Sequence, residues 1–419
     1  MTKFHAEKPT ESSSGSGSPS RSHRHRALAT LTFGHANTHW FLGLMGPVLP
    51  LIARDLSLTF TQVGLLITLR ALGASVGSAA SGVMTDLLGK RKPLLVADLA
   101  LMGAMYASMG FADGIAFLVV PFFVTGMLNS AWHPPAMSAI SQDYPTRRGF
   151  ALGLHGSGAS LVQSMAPLFI GYLLGFAGWR EVMKIHLFPP LFSALLLLLF
   201  LPSLSTAVSG SVRHYTSRLA VGFKRGRAIV GVAAVSCLRT MSYRTLEAFL
   251  PLYLAFHFGL DPSWVGFYFF LLIFSGTVPE TLSGWLSDRA GRRRVLIGGL
   301  CMSTACMVSI PFLPSGAPLG VAVSVLGFSL ISLRPIIMAL GLDLTPPDLG
   351  GTTIGFIFAF NQAFAGLGPL AAGVMADRLG LKSTFFFMAA LTTASALTVR
   401  FLSRAEEPSR QLAAPSEAV

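Results

Sequence analysis

Charged side chains are scarce in this sequence. Asp, Glu, Lys and Arg together make up 12% of its 419 residues, whereas soluble domains carry about 25%. Hydrophobic residues reach 52%, and they are gathered in long runs. This deficit of charge excludes an ordinary soluble domain and predicts an integral membrane protein.

Cysteine is also rare, and each of the three copies, Cys237, Cys301 and Cys306, lies in an apolar run. The sequence therefore predicts no disulfide framework. No small-residue cleavage site follows a short apolar core, so we expect no cleaved signal peptide. The Ser-rich, basic residues 1–26 predict a disordered tail.

Motifs that bind nucleotides or nucleic acids are missing. Gly89-Lys90 is followed by Arg91 instead of Ser or Thr, which excludes a phosphate-binding loop, and we do not expect ATP as the direct energy source. The formal net charge of +13 comes from short basic clusters between hydrophobic runs, with no basic face interleaved with aromatics. We therefore expect neither a nucleic-acid partner nor a cofactor.

Twelve apolar runs approach the length of about 20 residues that a helix needs to cross a bilayer. The sequence thus predicts an all-α membrane protein with an N-terminal six-helix bundle at 27–202 and a C-terminal one at 228–403. A polar linker at 203–227 separates the bundles, and residues 404–419 form a second tail. The predicted spans lie near 27–52, 61–85, 93–112, 114–142, 150–175, 183–201, 228–255, 263–287, 295–313, 317–342, 352–376 and 383–402.

The loops differ in their content of Lys and Arg. If the N-terminus is cytoplasmic, the outside loops hold only Arg54, Arg180, Lys184, Arg378 and Lys382, and the remaining loop cations lie inside. The positive-inside rule then places both termini in the cytoplasm. We expect a multi-pass protein of a plasma membrane, the inner membrane in a bacterium.

The two predicted bundles share a pattern at an offset of 202 residues. Several Pro and Gly positions recur at this spacing without a gap, which indicates two halves of one ancestry. The recurring pairs include Pro145 and Pro347, Gly149 and Gly351, Gly153 and Gly355, Pro167 and Pro369, and Gly171 and Gly373.

A charged loop follows the second span of each half. In the first half it reads Gly82-x3-Asp86-x2-Gly89-Lys90-Arg91-Lys92, and in the second Gly284-x3-Asp288-Arg289-x-Gly291-Arg292-Arg293-Arg294. From the residues alone, each Asp is expected to cap a helix or pair with a loop cation, and the glycines to permit a sharp turn. The alternative is that these cations only set the topology.

This pair of loops resembles the signature motif of the major facilitator superfamily, and the resemblance covers about residues 27–403. The strings "WHPPAMSAISQDYPTRRGFALGLHGSGASL" and "LRTMSYRTLEAFLPLYL" are similar to the fosmidomycin-resistance exporters within it. The resemblance implies twelve helices in two pseudo-symmetric bundles, transport by alternating access, and a loop that latches the cytoplasmic side. Span 4 departs from the drug/proton antiporter pattern, because Asn129 and His133 stand where an Arg is expected.

Ionisable and polar residues inside the spans are candidates for the substrate or proton pathway. Arg239, Tyr243 and Glu247 recur every fourth residue and so share one side of span 7. His35 and His39 share a face of span 1. The other candidates are Arg70, His133, His155, Gln163, Glu280, Arg334 and Asn361.

Two interpretations of these groups stay open. In one, the arginines receive a polar or anionic solute, and Glu247, Glu280 or a histidine carries a proton. In the other, Arg244 and Glu247 form a static pair and the histidines make interhelical hydrogen bonds. The histidines show no metal-like spacing across the spans, so we expect no metal site.

The sequence as a whole predicts a monomeric secondary transporter that moves a small molecule and is coupled to protons. A channel or a transporter-derived sensor without active turnover is the alternative, although two diverged halves and short tails favour neither. An enzyme is not expected, because no clustered catalytic set is recognisable.

Overall fold

The computed structural model describes residues 21–88, 91–201, 227–344 and 350–402, and these ranges contain helices and no strand. A helix satisfies its own backbone hydrogen bonds, which is what a segment surrounded by lipid requires. The predicted tail at 404–419 and the predicted linker, apart from residue 227, lie outside the described residues.

The described part of the first half forms eight helices in six segments. A single helix makes up each of segments 1, 2, 3 and 5, while segments 4 and 6 are each broken into two. The helices are α1 (Arg21–Asp55), α2 (Phe60–Leu88), α3 (Arg91–Met109), α4 (Ile115–Ala131), α5 (His133–Asp143), α6 (Arg148–Leu173), α7 (Trp179–Ile185) and α8 (Phe188–Phe200).

The described part of the second half gives six further segments, of which the second, fourth and fifth are broken. A short 3-10 turn, Ile310–Phe312, extends the third. The helices are α9 (Arg227–His257), α10 (Pro262–Thr277), α11 (Glu280–Ala290), α12 (Arg292–Ser309), α13 (Ala317–Ile331), α14 (Arg334–Asp343), α15 (Gly350–Phe364), α16 (Leu367–Leu379) and α17 (Lys382–Leu402).

The twelve-segment prediction agrees with this arrangement. Seven described stretches are long and apolar enough to cross a membrane on their own, or eight if the pair α10 and α11, bent by 41°, counts as one span. Three of the helices outside that count, α1, α6 and α9, carry the histidines at 35, 39 and 155 and the charges at 239, 244 and 247. The polar residues of α1, α6 and α9 lower the mean hydropathy by which a membrane span is recognised.

One boundary prediction is wrong. Residues 21–26 were expected in the disordered tail, but α1 begins at Arg21. Hydrophobicity marks where the apolar part of a span begins, whereas the helix continues through its basic first turns.

The two ends of the helices differ in how the halves meet. Residues 88–91, 143–148 and 291–292 mark one end, called here the motif end, and residues 55–60, 257–262 and 379–382 mark the other, the far end. At the far end one apolar core takes side chains from both halves, such as Phe41 and Phe249, and a second core belongs to the second half. At the motif end each half has its own core.

Close helix crossings join the halves at the far end, and they occur as two equivalent copies. A Cβ on Gly64 would lie 2.3 Å from the Pro369 carbonyl oxygen, and one on Gly266 would lie 2.2 Å from that of Pro167. These pairs are related by the 202-residue offset, so the duplicated sequence builds a duplicated contact. The Asp377 carboxylate adds a cap across the halves, accepting hydrogen bonds from two backbone N–H groups of the first turn of α2 at 2.9 and 2.8 Å.

The halves are separated at the motif end. Gly149, Gly153 and Gly355 have no atom within 4 Å of the place where a Cβ would stand. Phe150, on the first turn of α6, and Phe358, in the middle of α15, are 69% and 53% exposed. The molecule is therefore closed at the far end and open at the motif end.

Within the first half, glycines bring α2 and α4 into backbone contact. A Cβ on Gly77 would lie 1.9 Å from the Met127 carbonyl oxygen, and one on Gly73 the same distance from that of Phe123. Small residues at such crossings let helices pack by van der Waals contact where no hydrophobic effect drives association.

Gly77→Ala is expected to lower the thermal unfolding temperature of the purified protein in detergent. The added methyl group meets backbone, which cannot rotate away, and overpacking of this kind costs about 1–3 kcal/mol. Gly153→Ala is the matched control, since its methyl group enters open space and should leave the temperature unchanged or raise it. Equal unfolding temperatures for the two variants would contradict the crossing.

Candidate functional site

A cavity lies between the halves, at the middle of the helices. Its wall comes from α1, α2 and α4 on one side and from α9 and α10 on the other. Most of the wall is apolar, and Phe269 of α10 contributes its only aromatic ring in the described chain. Five polar residues of the two halves line it: Arg70, Asn129, Ser130, Arg244 and Glu247.

The charges in this cavity do not balance. Arg244 and Glu247 form an ion pair at 3.1 Å, with 40% and 17% of their side chains exposed. Arg70 donates to the Tyr106 hydroxyl at 3.2 Å, and no carboxylate of the described chain lies within ion-pair distance of it. Since a charge at membrane depth is costly without a partner, the cavity offers a site for an anion.

Arg239 does not line the cavity, although its spacing along the helix predicted a position on the pathway beside Glu247. The side chain is buried, and its guanidinium donates to the carbonyl oxygens of Leu330 and Ile331 at 2.7–3.0 Å. Helix α13 ends at these residues, so their carbonyl oxygens have no N–H partner within the helix. Spacing along one helix indicates a common side but does not say which neighbour covers each residue.

The remaining candidates of the second half hold helices together. Arg334 of α14 pairs with Glu280 of α11 at 3.2 Å, and 60% of the arginine side chain is exposed at the open end. The Asn361 side chain donates to the Ser236 hydroxyl at 2.8 Å, which ties α15 to α9. Tyr243 lies under the Arg239 guanidinium, 5.3 Å from ring centroid to Cζ.

Histidines from three helices of the first half form a cluster. The ring centroid of His35 lies 4.6 Å from that of His39, 5.0 Å from His133 and 4.2 Å from His155. His39 donates one further hydrogen bond, from its Nδ1 to the Gln163 side-chain oxygen at 2.8 Å. The expectation that the histidines lack metal-like spacing is wrong, because ligand nitrogens of three of them lie within 4.8 Å of one another.

Of the first charged loop, the structure describes one candidate side chain. The side chain of Asp86, and residues Gly89 and Lys90, lie outside the described residues, as does the surrounding of Gly82. Arg91 is buried and donates to the Gln142 side-chain oxygen at 3.0 Å and to the Ser138 hydroxyl at 2.9 Å, both on α5. It thus anchors the start of α3 to the end of segment 4.

The second charged loop is organised around Arg292. This guanidinium pairs with Asp288 at 2.8 Å and also contacts the Asp343 carboxylate, so it joins α11, α12 and α14. Gly291 turns the chain between α11 and α12 with a φ of +91°, a region that favours glycine.

The neighbours of Arg292 are directed outward. Arg289 stacks over Trp285 at 4.1 Å, Arg293 reaches the Leu402 carbonyl oxygen at 3.4 Å, and Gly284 has open space where a Cβ would stand. The pairing of Asp343 with Arg292 was not predicted from the sequence, because the two residues are 51 positions apart and Asp343 lies outside the motif.

The two helical halves meet at one end, separate at the other and enclose a charged central cavity between them. This arrangement is that of a helical membrane carrier. The sequence profile described as the Major Facilitator Superfamily matches residues 31–369 and 232–418. The chain belongs to the Major Facilitator Superfamily, as its charged loops predicted.

Named relatives agree with this assignment. The chain is 22% identical to the fosmidomycin resistance protein of Escherichia coli, over 89% of this chain and 91% of that protein. It is 28% identical to the probable sulfoacetate transporter SauU of Cupriavidus necator, over 84% and 87%. The relatives are transporters, so the chain is a multi-pass membrane protein with a small-molecule substrate and not an enzyme.

A solved structure shows the same fold. A bacterial homolog to the human lysosomal transporter Spinster, in an inward-facing and occupied conformation, superposes with a TM-score of 0.78 at 17% identity. The match covers 93% of this chain and 99% of that one. At this identity the similarity concerns the fold alone.

Arg239→Gln is expected to lower the thermal unfolding temperature, because two carbonyl oxygens at the end of α13 lose a charged donor in a buried place. Leaving such groups unpaired costs about 1–3 kcal/mol. Arg244→Gln, one turn further along α9 and half exposed in the cavity, should leave the temperature nearly unchanged. Thermal scans of both purified variants test the assignment, and a larger loss in Arg244→Gln would contradict it.

Proposed function

We propose that this chain is a secondary transporter that moves a small organic anion by alternating access and couples that movement to protons. The observation that carries the proposal is Arg70, a cation in the central cavity without a carboxylate partner in the described chain. A bound anion would supply the missing partner, with Asn129 and Arg244 within the same cavity to orient it.

The names of two relatives support this substrate class. Sulfoacetate is an organic anion at neutral pH, and it is the substrate in the name of the probable transporter SauU. Fosmidomycin is the compound in the name of the second relative. A small organic acid or phosphonate is therefore the first class of compound to examine.

Glu247 is the proposed proton carrier. Its carboxylate holds the Arg244 guanidinium at 3.1 Å, so a substrate anion and this carboxylate compete for one cation. Protonation of Glu247 removes the competitor and favours anion binding, and by linkage anion binding favours protonation. Proton and anion would then occupy the cavity together.

Alternating access is proposed from the asymmetry of the two ends. The structure is closed at the far end and open at the motif end. The complementary state would break the far-end contacts and bring the charged loops of the halves together. In this proposal the motif end and both termini face the cytoplasm of a plasma membrane, a bacterial inner membrane in a bacterium, and the chain works as a monomer.

Transport should be measured with the purified full-length protein in liposomes, using labelled sulfoacetate as the first probe and a panel of organic acids and phosphonates beside it. We expect uptake against a concentration gradient when the outside is more acidic. Arg70→Gln should raise the substrate concentration for half-maximal uptake at least about tenfold, since one charge-assisted contact is lost.

Two further variants complete this experiment. Glu247→Gln should retain exchange of labelled for unlabelled anion but lose the response to the pH gradient. Arg378→Gln, an exposed arginine at the far end, is the control and should behave as the unmodified protein. Movement that ignores the pH gradient in the unmodified protein would refute proton coupling, and movement only down a gradient would favour the channel alternative.

Asp377→Asn is expected to weaken closure of the far end, because the neutral amide is a poorer acceptor for the N–H groups at the start of α2. A loss of about 1.4 kcal/mol would shift the population of the two states about tenfold. A cysteine introduced as Ala74→Cys in the cavity wall, after the native cysteines are replaced by Ser, reports the shift. Its labelling by a membrane-impermeant maleimide from the far side should increase.

Asp55→Asn is the matched control for this measurement. Asp55 also lies at the far end, but it pairs with Arg180 of its own half. Equal labelling in the two variants would show that the cap across the halves does not govern access.

A further inference from the structure

The histidine cluster of the first half has unused ligand atoms. His35 and His155 are buried, with 5% and 2% of their surface exposed, and His39 and His133 are half-buried. In the described chain, Nε2 of His35, Nε2 of His39 and both ring nitrogens of His155 are buried without a hydrogen-bond partner. Interhelical hydrogen bonding therefore does not account for the cluster, and unpaired buried nitrogens are costly.

The partners of the other ring nitrogens determine which lone pairs are free. Nδ1 of His35 lies 3.2 Å from the His155 carbonyl oxygen, and Nδ1 of His39 lies 2.8 Å from the Gln163 amide oxygen. Both oxygens only accept, so each Nδ1 must carry the proton. Nε2 of both histidines is then a bare lone pair, buried and without a hydrogen-bond partner in the described chain.

This arrangement is the one that metal-binding histidines use. Such a histidine binds the ion through one nitrogen and donates from the other to a carbonyl or carboxylate oxygen, which fixes its tautomer and orientation. His35 and His39 each have that outer partner already. His133 faces both rings, at centroid distances of 5.0 and 6.1 Å.

We propose that His35, His39 and His133 bind a late transition-metal dication of the Zn²⁺ class through three imidazole nitrogens. Neutral imidazoles select such ions over Mg²⁺ and Ca²⁺, which prefer oxygen ligands. Three histidines leave a fourth position for water or a solute, as in open zinc sites. The metal site is independent of the proposed transport activity and its substrate.

The geometry requires a modest adjustment. The ligand nitrogens lie within 4.8 Å of one another. Zn–N bonds of about 2.0–2.1 Å in a tetrahedron place the nitrogens about 3.4 Å apart. Rotation of the half-buried His133 side chain toward His35 and His39, which their outer partners hold in place, can reduce the difference.

The nearest fixed charge opposes the ion but is compensated. Arg334 of the other half acts electrostatically on His39 and His133 across the open end. Its guanidinium is paired with Glu280 at 3.2 Å, which reduces the repulsion. The site also opens toward solvent through its two half-buried members.

The test is equilibrium dialysis of the purified, chelator-stripped full-length protein against Zn²⁺, with bound metal counted by elemental analysis. We expect one tightly bound Zn²⁺ per chain. His39→Gln and His133→Gln should each weaken binding at least about a hundredfold, as the loss of one of three ligands implies. His186→Gln is the matched control, a buried histidine of the same half outside the cluster, and should bind as the unmodified protein.

Two readouts separate metal binding from effects on folding and from binding by the N-terminal histidines. Zn²⁺ should raise the unfolding temperature of the unmodified protein and of His186→Gln but not of His39→Gln, whose metal-free temperature should match the unmodified one. A variant with Gln at His5, His23 and His25 should retain the ion. Zn²⁺ binding that survives in both cluster variants, that disappears with His5, His23 and His25, or that is absent in the unmodified protein would overturn the proposal.

Discussion

A segment surrounded by lipid has no water to accept or donate hydrogen bonds, and the structure follows from that constraint. It makes the described chain helical, and it makes every interruption of a helix a place where polar groups need new partners. Arg239 supplies them where α13 ends, and Asp377 supplies them where α2 begins. Polar side chains in this molecule are therefore concentrated where helices break, cross or line the cavity.

The same constraint separates the arginines by role. Arg239 and Arg292 are occupied by carbonyl oxygens or carboxylates of their own half. Arg70 meets only a hydroxyl in the described chain, and Arg244 meets the carboxylate of Glu247 but keeps 40% of its side chain exposed. Of these four arginines, only Arg70 and Arg244 can still bind a solute, and both lie in the cavity.

Much of the fold could be predicted from the sequence because hydrophobic runs and the 202-residue repeat are local or periodic signals. The paired loops at Gly82 and Gly284 were enough for the family. Less of the candidate site could be predicted from the sequence. Glu247 and Arg70 were named, but the separation of Arg239 from the cavity depends on which helix covers it, and the meeting of His35, His39 and His133 depends on how α1 packs against α5. Both are tertiary facts that single-helix spacing does not contain.

The duplicated crossing of Gly64 with Pro369 and Gly266 with Pro167 has a mechanical consequence. These two equivalent helix crossings lie on opposite sides of the pseudo-twofold axis, so breaking one of them does not separate the halves. Separation of the halves at the far end would therefore require both contacts to break, since either one alone keeps the halves joined.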